Sequence, residues 1–270
     1  SAGPEWTQVT SYDPKELLYN INQVEGVHPG YVSTYAFPNG HPTTDYENNV
    51  PEIDTLMIDF DVDISGDCKE EWERELSKLL TVIRKVATSL VENGYDKYWR
   101  GSLSGFKGVH LYLDFPKLEE GIGDASQYHN GMSDFTDFVV DVLKYETEIN
   151  NLEEYIDVSS GWDLSRLTRL PNTKHEKATK MFDEDRFCVP VSIREMQSIR
   201  VPTYKALTRS RRKLPDRCYR SPNPHTKETI ERHIAVASSE KSKKTVGSVK
   251  NSAKYENYVD NVVNEQAELE

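Results

Sequence analysis

From Lys69 to Asn93 the apolar residues Trp72, Leu76, Leu79, Leu80, Ile83, Val86, Ala87 and Leu90 recur at spacings of three and four. That period predicts a helix with one buried stripe, closed by Gly94 at its C-terminus. Just before it, "TLMIDFDVD" (55–63) reads as a buried strand with an apolar face and an acidic face. "KYWRGSLSGFKGVHLYLDF" gives two strand-like runs around a turn bounded by Gly105 and Gly108, as in a hairpin. A second helix is predicted from about Asp134 to Glu148, with Phe135, Phe138, Val139, Val142 and Leu143 inward and Ser133 as N-cap. "EYIDVS" is another short strand, and "SRLTRLPNTKH" alternates apolar and basic residues until Pro171 breaks it. Near the start, "HPGYVSTYAFPNGHP" reads as a short strand or two between turns. No repeat at roughly 20 to 50 residues is present, which removes solenoids and propellers. Strands and helices interleave with a hairpin among them, so the expected class is α+β, with a mixed sheet and packed helices.

The 270 residues are enough for a full core, and one main domain is expected. Hydrophobic content is low at 36%, but 15 Tyr, 8 Phe and 4 Trp are too many for a disordered chain. No window approaches the roughly 18 apolar residues of a membrane span, and no basic region followed by an apolar stretch opens the chain. Three scattered cysteines, Cys68, Cys188 and Cys218, argue against a disulfide framework and for a reducing cytoplasm, with nucleoid association expected.

The net charge of −12 taken alone argues against a protein that coats nucleic acid, but the charge is segregated. From Arg200 to Lys250 there are 14 Lys/Arg against 4 Asp/Glu, a net of +10, which leaves −22 on the rest. A basic segment on an acidic body can follow a phosphate backbone while the body keeps its carboxylates for metal. Arg209, Arg211, Arg212 and Lys213 are then the candidate nucleic-acid contacts; the alternative is a solvated basic tail without a partner. The expected organisation is a core over 1–200, a basic, helical accessory segment over 201–237, and a polar, disordered or marginally helical tail over 238–270.

The carboxylates of 59–67 invite a calcium reading, since Asp61, Asp63, Ser65 and Gly66 match the first half of an EF-hand loop. The second half fails: counting from Asp61, the twelfth position is Trp72, and counting from Asp59 places Glu70 there but Ile64 where glycine is required. On a strand, Asp59 and Asp61 share a face about 7 Å apart, an arrangement a divalent cation would neutralise. Solvated strand ends also carry such pairs. "SGFKGVH" supplies a hydroxyl at Ser104, a cation at Lys107 and an imidazole at His110, with glycines that let backbone amides approach an anion. A plain hairpin turn with a satisfied histidine would look the same. "DLSRLTRLPNTKHEK" places Arg166, Arg169, His175 and Lys177 just after Asp157. Arg166 and Arg169 share a face on a helix but not on a strand, and periodicity leaves that open.

"LMIDFD", "SGFKGVHLYL" and "YIDVSSGWDLSRLTRLPNTKH" follow the order and character of the three motifs of the archaeo-eukaryotic primase superfamily, which the chain resembles over roughly residues 50–180. The resemblance implies an α+β catalytic core of mixed β-sheets with packed helices and an RRM-like palm. It implies a template-dependent nucleotidyltransferase that makes or extends primers on single-stranded DNA, with two Mg²⁺ or Mn²⁺ ions on Asp59, Asp61 and Asp157. Ser104, Lys107 and His110 would face the incoming NTP or dNTP, with Arg166, Arg169, His175 and Lys177 as further phosphate contacts. A large primase subunit or a helicase is the implied partner. A gap-filling or end-joining repair polymerase would use the same site, and a non-catalytic replication-initiation module remains a third reading. Two departures stand out. Phe106 and Lys107 replace a glycine or arginine followed by an arginine, so a bidentate phosphate contact becomes a point charge. No CxxC or CxxH spacing is present, and Cys218, His225 and His233 form only a loose set, so zinc is not expected.

Overall fold

The computed structural model describes residues 11, 13–37, 50–64, 68–215 and 221–240. The Asp13 carboxylate accepts the Lys15 amide at 2.9 Å and Pro14 occupies the first turn, which starts α1 (Pro14–Val24). This helix lies outside the elements that the apolar pattern predicts, and it buries none of its residues. β1 (Tyr31–Ser33), β2 (Thr55–Phe60) and α2 (Lys69–Glu92) follow. All eight residues of the predicted α2 stripe are buried, and Gly94, at φ +70°, reverses the chain after the Asn93 cap. β3 (Trp99–Leu103) and β4 (Val109–Asp114) form the expected antiparallel hairpin.

The next helix, α3 (Ala125–Thr147), begins well before the predicted Asp134. Ser133 is an interior residue; the cap is Asp124, which accepts the Gln127 amide while Gln127 reaches back to the Asp124 amide. Tyr128 and Met132 carry the buried stripe through an otherwise polar stretch. β5 (Ile156–Asp157) is shorter than "EYIDVS" because Asp157 Oδ1 accepts both the amide and the hydroxyl of Ser159, at 3.1 and 2.5 Å, and turns the chain. Then come β6 (Leu167–Arg169), α4 (Glu176–Phe182), β7 (Val189–Val191), α5 (Ile193–Met196), α6 (Val201–Thr208) and α7 (Pro224–Glu240). The polar tail from 241 onward, Cys218, residues 38–49 and residues 65–67 lie outside the described residues.

The class is α+β. A five-stranded sheet has the order β5-β2-β4-β3-β7, every neighbouring pair antiparallel, and β1 pairs with β6 in a separate two-stranded ribbon. Strand alternation gives the large sheet two unlike faces. Leu56, Ile58, Phe60, Val109, Leu111 and Leu113 join the α2 and α3 stripes in one hydrophobic core. The other face carries Thr55, Met57 and Asp59 of β2, His110, Tyr112 and Asp114 of β4, and Arg100 and Ser102 of β3. Tyr204 of α6 and Ile230 and Ile234 of α7 enter the same core, and the described residues up to 238 belong to one unit. A Cβ on Gly131 would lie 2.4 Å from Ile234 Cγ1, so glycine inside α3 is what lets α7 pack there.

Candidate active site

Strand register assembles the site. Asp59 is opposite Asp157 on one side and His110 on the other, and His110 is opposite Ser102, so the four lie in one row across the polar face. His110 Nε2 stands 3.5 Å from Asp59 Oδ1 and its Nδ1 3.3 Å from Ser102 Oγ. Burial pushes the His110 pKa down; Asp59 opposes that and the guanidinium groups of Arg169 and Arg166 add to it. Asp61 lies beyond the end of β2, where its amide donates to Tyr155 O at 2.9 Å and its Oδ1 accepts the Val62 amide at 2.8 Å. Its Oδ2 meets Lys107 Nζ at 2.9 Å. Burial nevertheless raises the Asp61 pKa, with Lys107 opposing.

The hairpin turn is built for close approach. Gly105 adopts φ +91°, and a Cβ there would lie 2.7 Å from Phe187 O. A Cβ on Gly108 would lie 2.9 Å from Phe60 O and 3.5 Å from Asp61 Oδ1. Ser104 Oγ accepts the amides of Phe106 and Gly108 at 3.3 and 3.0 Å, so this predicted site hydroxyl holds the turn from inside. Trp72 Nε1 donates to Phe106 O at 2.9 Å, and Tyr204 Oη donates to Gly108 O at 3.1 Å.

Arg166 precedes β6, which of the two arginines holds only Arg169, so strand alternation does not set Arg166 on the opposite face from Arg169. The Arg166 guanidinium spans two carboxylates, Nη2 to Asp59 Oδ2 at 2.8 Å and Nη1 to Asp157 Oδ2 at 3.1 Å. Arg169 stacks on Tyr31, 4.5 Å from the ring centroid, donates to the Tyr31 hydroxyl, and donates to Lys174 O at 3.0 Å. His175 caps α4, its Nδ1 accepting the Ala178 amide at 3.3 Å; burial, helped by Arg169, lowers its pKa to about 3, so the ring is neutral.

Asp59, Asp61, Ser104, Lys107, His110, Arg166, Arg169 and His175 thus line one cavity of about 190 Å³. Asp157 joins through Arg166, whereas Lys177 stands 5.6 Å over the Phe106 ring. A neighbouring cavity of about 240 Å³ shares Arg169 and is lined by Arg100, Tyr112 and Thr168 among others. Of the basic cluster, Arg209 pairs with Glu184 at 3.0 Å and Arg212 with Glu195 at 2.8 Å, while Arg211 and Lys213 are exposed. Sequence reasoning missed Ser102, which backs His110, and the turn supports Trp72 and Tyr204; the alternation of β3 was the available signal for Ser102.

Among the described residues no group of three or more His, Cys, Asp or Glu side chains stands close enough to hold a metal ion. The cations of Arg166 and Lys107 are interposed at the carboxylates. As donors, the carboxylates of Asp59 and Asp61 in this cavity, and that of Asp157 beyond Arg166, are of the hard oxygen type that a divalent ion takes. Among the described residues no helix is long and apolar enough to cross a membrane.

No protein-family model and no curated protein matches the chain. Among solved structures it is similar to the polymerase domain of Mycobacterium tuberculosis Ligase D in complex with DNA, at 15% identity and a TM-score of 0.38. That match covers 75% of this chain, which spans 58% of the other.

Proposed function

We propose that the chain is a template-dependent nucleotidyltransferase, a DNA primase or primase-polymerase that makes or extends primers on single-stranded DNA. The observation that carries this reading is the single cavity that collects carboxylates from 59–61 and cations and imidazoles from 104–110 and 166–175. Anionic and cationic walls facing one space suit a metal-bound polyphosphate.

Asp59, Asp61 and Asp157 would hold Mg²⁺ or Mn²⁺, two ions in all. When bound, such ions lower the pKa of an attacking hydroxyl and offset charge on the departing pyrophosphate. The chain's own side chains do the rest. Lys107 and Arg166 bind phosphate oxygens of the NTP or dNTP. Asp59 and Ser102 fix the two nitrogens of His110, which orients the ring toward the cavity. Neutral His175 contributes a hydrogen bond rather than a charge. Arg211 and Lys213, exposed beyond α6, are free to meet the template backbone, and a large subunit or helicase is the proposed protein partner.

The test is incorporation of labelled nucleotide on single-stranded DNA with Mg²⁺ or Mn²⁺, with and without an annealed primer, for the wild type, Asp59→Ala and Asp61→Ala. Primer-free products that disappear in both variants support the reading. Extension only from a primer reassigns the chain to gap filling or end joining, and no product under any condition refutes the polymerase reading.

A further inference from the structure

The carboxylates that the proposed function gives to metal each carry a fixed cation. Arg166 reaches Asp59 and Asp157 with different nitrogens of one planar fork, at 2.8 and 3.1 Å, and therefore fills the space between them. Lys107 stands in the same relation to Asp61, at 2.9 Å, while its ammonium also donates to Val62 O at 2.8 Å. The Arg166 backbone is anchored, its amide donating to Asp163 O and its carbonyl accepting the Thr34 amide, both at 2.9 Å. Only the side chain is free to leave.

Asp59 and Asp157 are cross-strand partners and repel one another, so the Arg166 cation between them stabilises the pair. A divalent ion on the same oxygens cannot share that space with the guanidinium. Once displaced, Arg166 would be a partly buried cation, its side chain 24% exposed, beside a more highly charged one. A triphosphate supplies the missing anion.

We infer that Arg166 is a built-in counterion that competes with divalent metal for Asp59 and Asp157 and transfers to the triphosphate when metal enters, so that metal and nucleotide bind cooperatively. The inference rests on the metal-site reading above. Metal alone displaces the guanidinium without giving it a partner, and nucleotide alone meets a cation already engaged; together each removes the cost of the other.

The experiment titrates Mn²⁺ and follows the paramagnetic resonance signal of the free ion, so no turnover is needed. Wild type, Arg166→Gln and Arg166→Lys are compared with and without a non-hydrolysable nucleoside triphosphate, and Asp157→Asn marks the site. Without nucleotide, Arg166→Gln is expected to bind Mn²⁺ about tenfold tighter than wild type, the scale of one lost charge-assisted competitor. The enhancement by triphosphate should be large in wild type and mostly absent in Arg166→Gln. Arg166→Lys, whose ammonium reaches one carboxylate at a time, should fall between, and it serves if the glutamine variant folds poorly. Equal or weaker Mn²⁺ binding in Arg166→Gln, with binding still sensitive to Asp157→Asn, overturns the inference and leaves the metal site standing. Absence of Mn²⁺ binding in wild type and both Arg166 variants overturns both.

Discussion

Replacing Asp59 by Asn separates chemistry from scaffold, because the amide keeps the size and one acceptor oxygen of the carboxylate and removes its charge. The folded state loses the ionic part of the bond to Arg166 at 2.8 Å, an interaction of about 1.5–3 kcal/mol when broken outright. Two features reduce that figure. Arg166 keeps Asp157 at 3.1 Å, so no cation is left alone, and repulsion between the cross-strand carboxylates disappears. The expected net loss is about 1 kcal/mol, which for a folded body of this size lowers Tm by about 2–4 °C. Nucleotide transfer should fall far more, by about three orders of magnitude, since several kcal/mol of charge stabilisation leave the reacting centre and each 1.36 kcal/mol is tenfold. Single-turnover extension of a labelled primer with Mn²⁺, run beside a circular-dichroism melt, measures both. A rate within tenfold of wild type at an unchanged Tm would remove Asp59 from the reacting centre. A drop in Tm of about 10 °C would show that the pair holds the fold, and any loss of rate would then say nothing about chemistry.

Three further outcomes are expected elsewhere. Asp114 is fully buried and held by two bonds from Arg100, at 2.6 and 2.8 Å, so Arg100→Gln should cost about 3–5 kcal/mol in urea unfolding; joint replacement of both residues by Leu should cost much less. His175 titrates near 3 when folded against 6.5 when free, so the unfolded chain takes up its proton first and stability falls as pH drops through that window. His175→Ser keeps a capping oxygen and should show a shallower decline in melts between those limits. Gly131→Val places side-chain atoms against the Ile234 backbone, where even a Cβ would be 2.8 Å from its Cα; a loss of about 1–3 kcal/mol and faster proteolysis of α7 are expected from limited digestion.

How much of this was legible depended on whether the signal was local. The α2 stripe and the glycines of the β3–β4 turn are local features, and both elements stand where the pattern places them. The start of α3 was hidden because Ser126–Asn130 is polar apart from Tyr128, and Gly131 serves a packing partner about a hundred positions away. α1 has only its cap as a signature, since it has no buried stripe. The candidate site residues were identifiable by type and motif, but their mutual arrangement was not: D-x-D spacing does not reveal that the strand ends at Phe60, nor that one guanidinium spans Asp59 and Asp157. Those facts belong to strand register, which long-range pairing sets. Similarly, Arg211 and Arg212 are adjacent in sequence, yet one is exposed and the other pairs with Glu195.

The supports of the 104–108 turn connect the core to the chemistry. Trp72 is the first residue of the stripe that defines α2, is 1% exposed, and donates its one N–H to Phe106 O. Tyr204 of α6 donates to Gly108 O, and Ser104 closes the turn from inside. Lys107 lies between these fixed points, so its ammonium is delivered to Asp61 by two helices on the apolar side of the molecule. Nothing in the spacing of Trp72 distinguishes it from the leucines that follow; its N–H does. A polar handle on a fully buried aromatic requires a partner, and here that partner is the backbone of the turn that carries the candidate phosphate-binding lysine. The residues that stabilise the core and those that position the site are therefore partly the same, and substitutions at Trp72 or Tyr204 act on Lys107 through the backbone without touching the cavity.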